Sequence, residues 1–141
     1  MFRLSRRTLI SFAGLLIGIA GLLIQWSADP SKFAEAVPPF GAAFPPGIMF
    51  IVGAGLLTLL TARWWWHPVF SVFIAFWIVG VGTLAGKLTP NLTSHNPGTV
   101  AGNVVMAVGL MITMIAGVLS MITARRTRQA ARSAPDRVHQ R

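Results

Sequence analysis

Residues 99–123 constrain this chain more than any other stretch. They carry no ionisable side chain across a run of Val, Met, Leu, Ile, Ala and Gly. At about 1.5 Å per residue the run is long enough to cross a hydrocarbon core of roughly 30 Å, which predicts a membrane span. Within it Gly102, Met106, Gly109, Thr113, Ala116 and Ser120 recur at spacings of three and four, a stripe that is small everywhere except at Met106. Val105, Leu110, Met114 and Leu119 fall off that stripe. In lipid the packing of small residues replaces the hydrophobic effect as the force between helices, so the stripe predicts a closely packed neighbour. Arg125, Arg126 and Arg128 follow at once and anchor this end on the cytoplasmic side.

The apolar excess extends beyond that run. The chain of 141 residues is 54% hydrophobic and 11% charged, whereas a soluble domain carries about a quarter charged residues. Four apolar blocks hold the excess, at about 8–26, 46–62, 69–86 and 99–123. A soluble fold would have too little polar surface to cover them. The formal charge of +9 suggests nucleic acid only if its placement is ignored. Of twelve cations, Arg3, Arg6, Arg7, Arg63 and the six arginines from Arg125 to Arg141 flank the blocks on one set of loops and termini. Lys32 and Lys87 occupy the alternate loops, where Asp29 and Glu35 offset them. This is the positive-inside pattern of an even number of spans with both termini in the cytoplasm. The expected fold is all-α: an integral membrane, antiparallel four-helix bundle in one domain over residues 1–123, with an Arg-rich, flexible cytoplasmic tail over 124–141. The absence of cysteine excludes a disulfide framework and a thiolate metal site.

The first block opens Ser5-Arg6-Arg7-Thr8-Leu9, a phrase like a twin-arginine export signal, with Ala34-Glu35-Ala36 in the place of a cleavage site. Export signals have an apolar region of only ~7–15 residues, and here the run continues from Leu9 to Trp26. A first span with basic anchors is the simpler reading. Its stripe of Ser11, Gly14, Gly18, Gly21 and Gln25 matches that of the last block. The two helices are therefore expected to pack antiparallel, with Gly14 facing Thr113 to Ala116 and Gln25 reaching the Asn103 region.

Between the first two blocks Asp29-Pro30 has the form of a helix start. Val37-Pro38-Pro39-Phe40 and Phe44-Pro45-Pro46-Gly47 impose extended backbone, as a stiff connector or a recognition loop. Trp64, Trp65 and Trp66 beside Arg63 belong at the headgroup level as an interfacial anchor. Adjacent rings on one turn are expected to diverge, too splayed for a cation cage. In the third block Gly82 and Gly86 form a GxxxG pair, a spacing associated with close helix contact. Pro90-Asn91, Asn96-Pro97 and Gly98 then act as breakers. Beyond the last span Arg125, Arg128 and Arg132 recur at helical spacing until Ser133, Ala134 and Pro135. Such a cluster is drawn to an anionic inner leaflet at roughly 1 kcal/mol per cation. Anchoring is a simpler role for it than binding nucleic acid or an acidic protein.

No block contains an ionisable residue, the usual mark of a proton or ion path. Asp29, Glu35 and Asp136 fall in loops or the tail, unlike the buried Glu of the four-span multidrug exporters. His67, His95 and His139 lie at an interface, in a loop and in the tail, away from any paired haem-ligand position. No nucleophile with a base, metal-ligand spacing or phosphate-cradling loop is present, so neither enzyme activity nor a cofactor is expected. The strongest polar groups at membrane depth are Asn103 and Gln25, readable as an interhelical hydrogen bond or as a polar vestibule for a small solute.

The order of features, with Trp26 closing the first span, Phe44-Pro45-Pro46-Gly47 closing the loop, a Trp-rich inner turn and an Arg-rich tail, resembles small four-span actinobacterial membrane proteins of unassigned function. That resemblance implies a bacterial cytoplasmic membrane. Helices that touch at glycines leave little lumen. A non-catalytic accessory subunit or assembly protein, with a protein partner or a second copy in the bilayer, is therefore expected ahead of a pore or carrier for a small solute. A phage-type membrane-lesion protein is a third reading, suggested by small size and the cationic tail.

Overall fold

The computed structural model describes residues 5–33, 45–86 and 88–133, and these form helices and turns with no strand among them. The triplet at 34–36, the proline-rich phrase at 37–40, Phe44, Lys87 and the chain from residue 134 onward, Asp136 and His139 included, lie outside the described residues.

Helix α1 (Arg6–Ala28) starts because Ser5, with extended backbone, accepts the Thr8 N–H through its hydroxyl at 3.1 Å. This satisfies one of the donors that a first turn leaves free. Asp29 closes α1 by donating its N–H to the Gln25 carbonyl, and Pro30–Phe33 adds one 3₁₀ turn. Asp29-Pro30, expected as a helix start, thus both closes α1 and opens the 3₁₀ turn at Pro30–Phe33. Helix α2 (Pro46–Leu60) begins with proline, whose missing N–H costs nothing there. Helix α3 (Val69–Leu84) loosens into a π-helical turn at Trp77–Val81, and α4 (Thr89–Leu92) is a single turn. Helix α5 (Pro97–Ser133) is the longest.

Asn96, Pro97 and Gly98, expected only to break structure, launch α5. Asn96 Oδ1 accepts the Gly98 N–H at 3.0 Å, while its Nδ2 donates to the Ala28 carbonyl at 3.0 Å and ties α5 to the end of α1. At its other end α5 continues helical through residues 124–133, in keeping with the helical spacing of Arg125, Arg128 and Arg132. Ala, Arg and Gln are strong helix formers, and cations in a last turn complement the helix dipole.

Both α1, with 23 residues, and α5, with 37, are long and apolar enough to cross a membrane. Helix α2, with 15 residues, measures about 22 Å, and α3 is of the same short class. Helices α1 and α5 pack antiparallel along the whole of α1. Helix α3 lies on α5, where Val72 fills the space at Gly117, and α2 bridges α3 and α1. Leu15, Leu22, Ile51, Ile74 and Leu110 form the apolar centre. Leu110, off the stripe in sequence, is completely buried; it packs beneath Gly18, and Ile51 of α2 reaches the same spot.

The Gly82 and Gly86 pair does not join two helices. Gly86 sits beyond the end of α3 at φ 64°, a left-handed conformation that favours glycine, and its surroundings are open. The chain reverses there, and Leu88 folds back to occupy the space that a side chain at Gly82 would need. Both glycines serve this reversal.

Candidate functional site

Among the described residues, most buried polar side chains fall into a seam between α1 and α5 and a cluster at the arginine-rich end, with Thr58 and Ser71 paired between α2 and α3. Glycine sets the depth of the seam. A Cβ on Gly14 would lie 2.6 Å from the Gly109 carbonyl oxygen, and one on Gly102 would lie 2.7 Å from the Gly21 carbonyl. At such approach the backbones themselves are in contact, and polar side chains cross between them. Ser11 Oγ donates to the Thr113 carbonyl at 3.1 Å, and Thr113 Oγ1 returns a bond to the Ser11 carbonyl at 3.1 Å, shared with Gly109. Gln25 Nε2 donates to Asn103 Oδ1 at 3.1 Å. Ala116 is buried on the same face.

Several other hydroxyls along the helices point back at their own backbone. Thr58, Thr61 and Thr83 each donate to the carbonyl four residues earlier, and Thr58 also meets Ser71 of α3 at 2.7 Å. Among the described residues two buried polar atoms have no hydrogen-bond partner, Thr99 Oγ1 and Asn103 Nδ2.

The second cluster gathers three separate segments. The hydroxyls of Thr8 and Ser120 meet at 3.0 Å, with Ser5 beside both. His67, from the turn between α2 and α3, reaches Thr8 Oγ1 through Nε2 at 3.2 Å. Its Nδ1 lies 2.8 Å from the Trp64 carbonyl, so Nδ1 carries the proton and, in the neutral ring, Nε2 accepts from Thr8. Arg7 donates to the Leu119 carbonyl and to Thr123 Oγ1, clamping the start of α1 to α5. Ser5, Arg7, His67, Ser120 and Thr123 border a cavity of about 540 Å³ whose wall also includes Arg6 and Arg128. A smaller hollow of about 250 Å³ sets Trp65 against Arg125, Arg128 and Arg132.

The three consecutive tryptophans do not simply diverge. Trp64 and Trp66 stack with ring centroids 5.0 Å apart, Trp66 leans on Phe70, and Trp65 alone turns to the arginines of α5. Arg126 is exposed away from both hollows. Sequence reasoning missed the Ser5, Thr8, Ser120 and His67 group. A signal existed, because Thr8 continues the stripe of Ser11 and Gly14 by one further step of three. Among the described residues no three His, Cys, Asp or Glu side chains group as metal ligands would. No family model matches the chain, and neither a curated protein nor a solved structure does.

Proposed function

We propose that the chain is a four-span protein of the bacterial cytoplasmic membrane, with both termini in the cytoplasm, acting as a non-catalytic accessory or assembly subunit for a membrane protein partner. The observation that carries this reading is the closed seam. Where α1 and α5 meet, backbone touches backbone, and Ser11 with Thr113 and Gln25 with Asn103 bond across the seam. A pore or carrier needs a continuous polar path, and Thr58, Thr61, Thr83 and Thr113 instead satisfy their own helices.

The short helices support a partner on one side. At about 22 Å, α2 falls short of a hydrocarbon core of roughly 30 Å, and a short span is accommodated by local thinning or by association. On that side Phe50, Phe73 and Trp77 are exposed around an apolar hollow of about 340 Å³. The subunit reading is tested by purification in mild detergent. A protein partner is expected in stoichiometric amount and is expected to be lost when Phe73 and Trp77 are both changed to Ala. Solute flux through liposomes containing the purified chain alone would overturn the reading in favour of a pore.

A further inference from the structure

We propose that the cavity at the arginine-rich end is a binding site for one anionic phospholipid, with the headgroup phosphate held among Arg6, Arg7 and Arg128 and an acyl chain lying along the groove between α1 and α2. The inference rests on the membrane reading above for the source of the ligand, and on the cavity itself for its chemistry.

Three guanidinium groups share the wall of a cavity of about 540 Å³, and among the described residues no carboxylate does. Arg6 and Arg128 make no hydrogen bond or ion pair among the described residues, and the acceptors that hold Arg7 are uncharged. The forks of Arg6 and Arg128 therefore keep their donors for a planar or tetrahedral oxyanion, the geometry that guanidinium recognises best. Hydroxyls from Ser5 and Ser120 stand on the same wall.

The placement of Arg6 and Arg7 is itself a conflict. They occupy the first turn of α1, at the positive end of its dipole, with no acidic residue in that turn. A phosphate in the cavity would relieve that repulsion and would also face the free N–H groups of the turn.

Lipid rather than free phosphate follows from what adjoins the cavity. Arg6 and Ala62 bring the start of α1 and the turn after α2 into its wall. Roughly two helical turns further along α1, Phe12 and Leu16 line an apolar groove of about 220 Å³ with Leu56 and Leu59 of α2. A headgroup in the basic cavity would direct its tail into that groove. The hydrocarbon of α1 and α5 begins beside the cavity, at the level expected of a headgroup.

The test is native mass spectrometry of the full chain released from detergent, titrated with phosphatidylglycerol or, separately, phosphatidylcholine. One phosphatidylglycerol per chain is expected to survive, with phosphatidylcholine retained much less. The paired change Arg6→Gln and Arg128→Gln, which breaks no hydrogen bond among the described residues, is expected to weaken retention by about tenfold or more, from roughly 1 kcal/mol per cation. The control Arg63→Gln with Arg126→Gln removes the same charge near the same end but outside the cavity, and should retain the lipid. Equal loss in both pairs would mean diffuse attraction and overturn the site. Filling the groove with Gly55→Trp should weaken phosphatidylglycerol while leaving any binding of inorganic phosphate unchanged. Displacement of the lipid by millimolar inorganic phosphate, with no effect of Gly55→Trp, would overturn the lipid assignment. Failure of the membrane reading would be visible separately, as chain recovered in the aqueous phase without detergent.

Discussion

A Cβ added to Gly109 would lie 2.6 Å from the Gly18 nitrogen and 2.7 Å from the Gly14 carbonyl oxygen, both backbone atoms that cannot yield. At Gly18 the nearest neighbour is the end of the Leu110 side chain at 3.1 Å, which can rotate. Substitution by Ala is therefore expected to hurt more at Gly109 than at Gly18, and Gly109→Leu should cost about 1–3 kcal/mol or more by overpacking. At Gly53 nothing lies within 4 Å, so Gly53→Leu should stay within about 0.5 kcal/mol. Thermal unfolding in mild detergent checks all four. The polar pair on α5 separates in sign as well. Asn103→Ala leaves the Gln25 amide without its acceptor and should cost about 0.6–2 kcal/mol. Thr99→Val, one turn away, removes a buried hydroxyl that bonds nothing and should be neutral or gain up to about 1 kcal/mol. Equal losses at the two positions would mean that Thr99 holds a bond.

Among the elements, α1 and α5 were the legible ones, because small residues at spacings of three and four mark one face of a helix whatever covers it. The antiparallel register of Gly14 near Thr113 and Gln25 at Asn103 follows from matching the two stripes end to end. The same logic failed at Gly82 and Gly86, where a spacing of four identifies a face but not its occupant. There the occupant is Leu88, folded back by a left-handed turn that no periodicity encodes. Leu110 was hidden for a related reason: α5 also packs against α3, and one stripe records only the face turned to α1. The cluster of Ser5, Thr8, His67 and Ser120 was legible only in that Thr8 extends the α1 stripe; the rest joins three segments that only the packed fold brings together. Cysteines replacing Thr8 and Ser120, whose hydroxyls lie 3.0 Å apart, should crosslink within one chain and leave its mobility that of a monomer. Crosslinking only between chains would assign the seam to an oligomer.

At the scale of the whole molecule, the decisive quantity is where charge lies relative to the apolar layer. The first turn of α1, the turn after α2 and the last turns of α5 come together at one end, as the shared cavity of Arg6, Ala62, His67 and Arg128 requires. Arg63 and the arginines of α5 therefore reinforce Arg6 and Arg7 on a single side. Asp29, at the close of α1, belongs to the other end with the loop that carries Ser94. Cations flanking short loops decide orientation, and the side that carries them stays in the cytoplasm. Reporter fusions at Ser94 and after Arg141 are accordingly expected to give opposite sidedness, with the C-terminal fusion cytoplasmic. Neutralising Arg6 and Arg7 alone should leave both reporters unchanged, because Arg63 and the α5 arginines hold the same end. Equal sidedness of the two fusions in the native sequence would remove the four-span topology, whereas a flip produced by Arg6 and Arg7 alone would show that the first helix dominates orientation by itself.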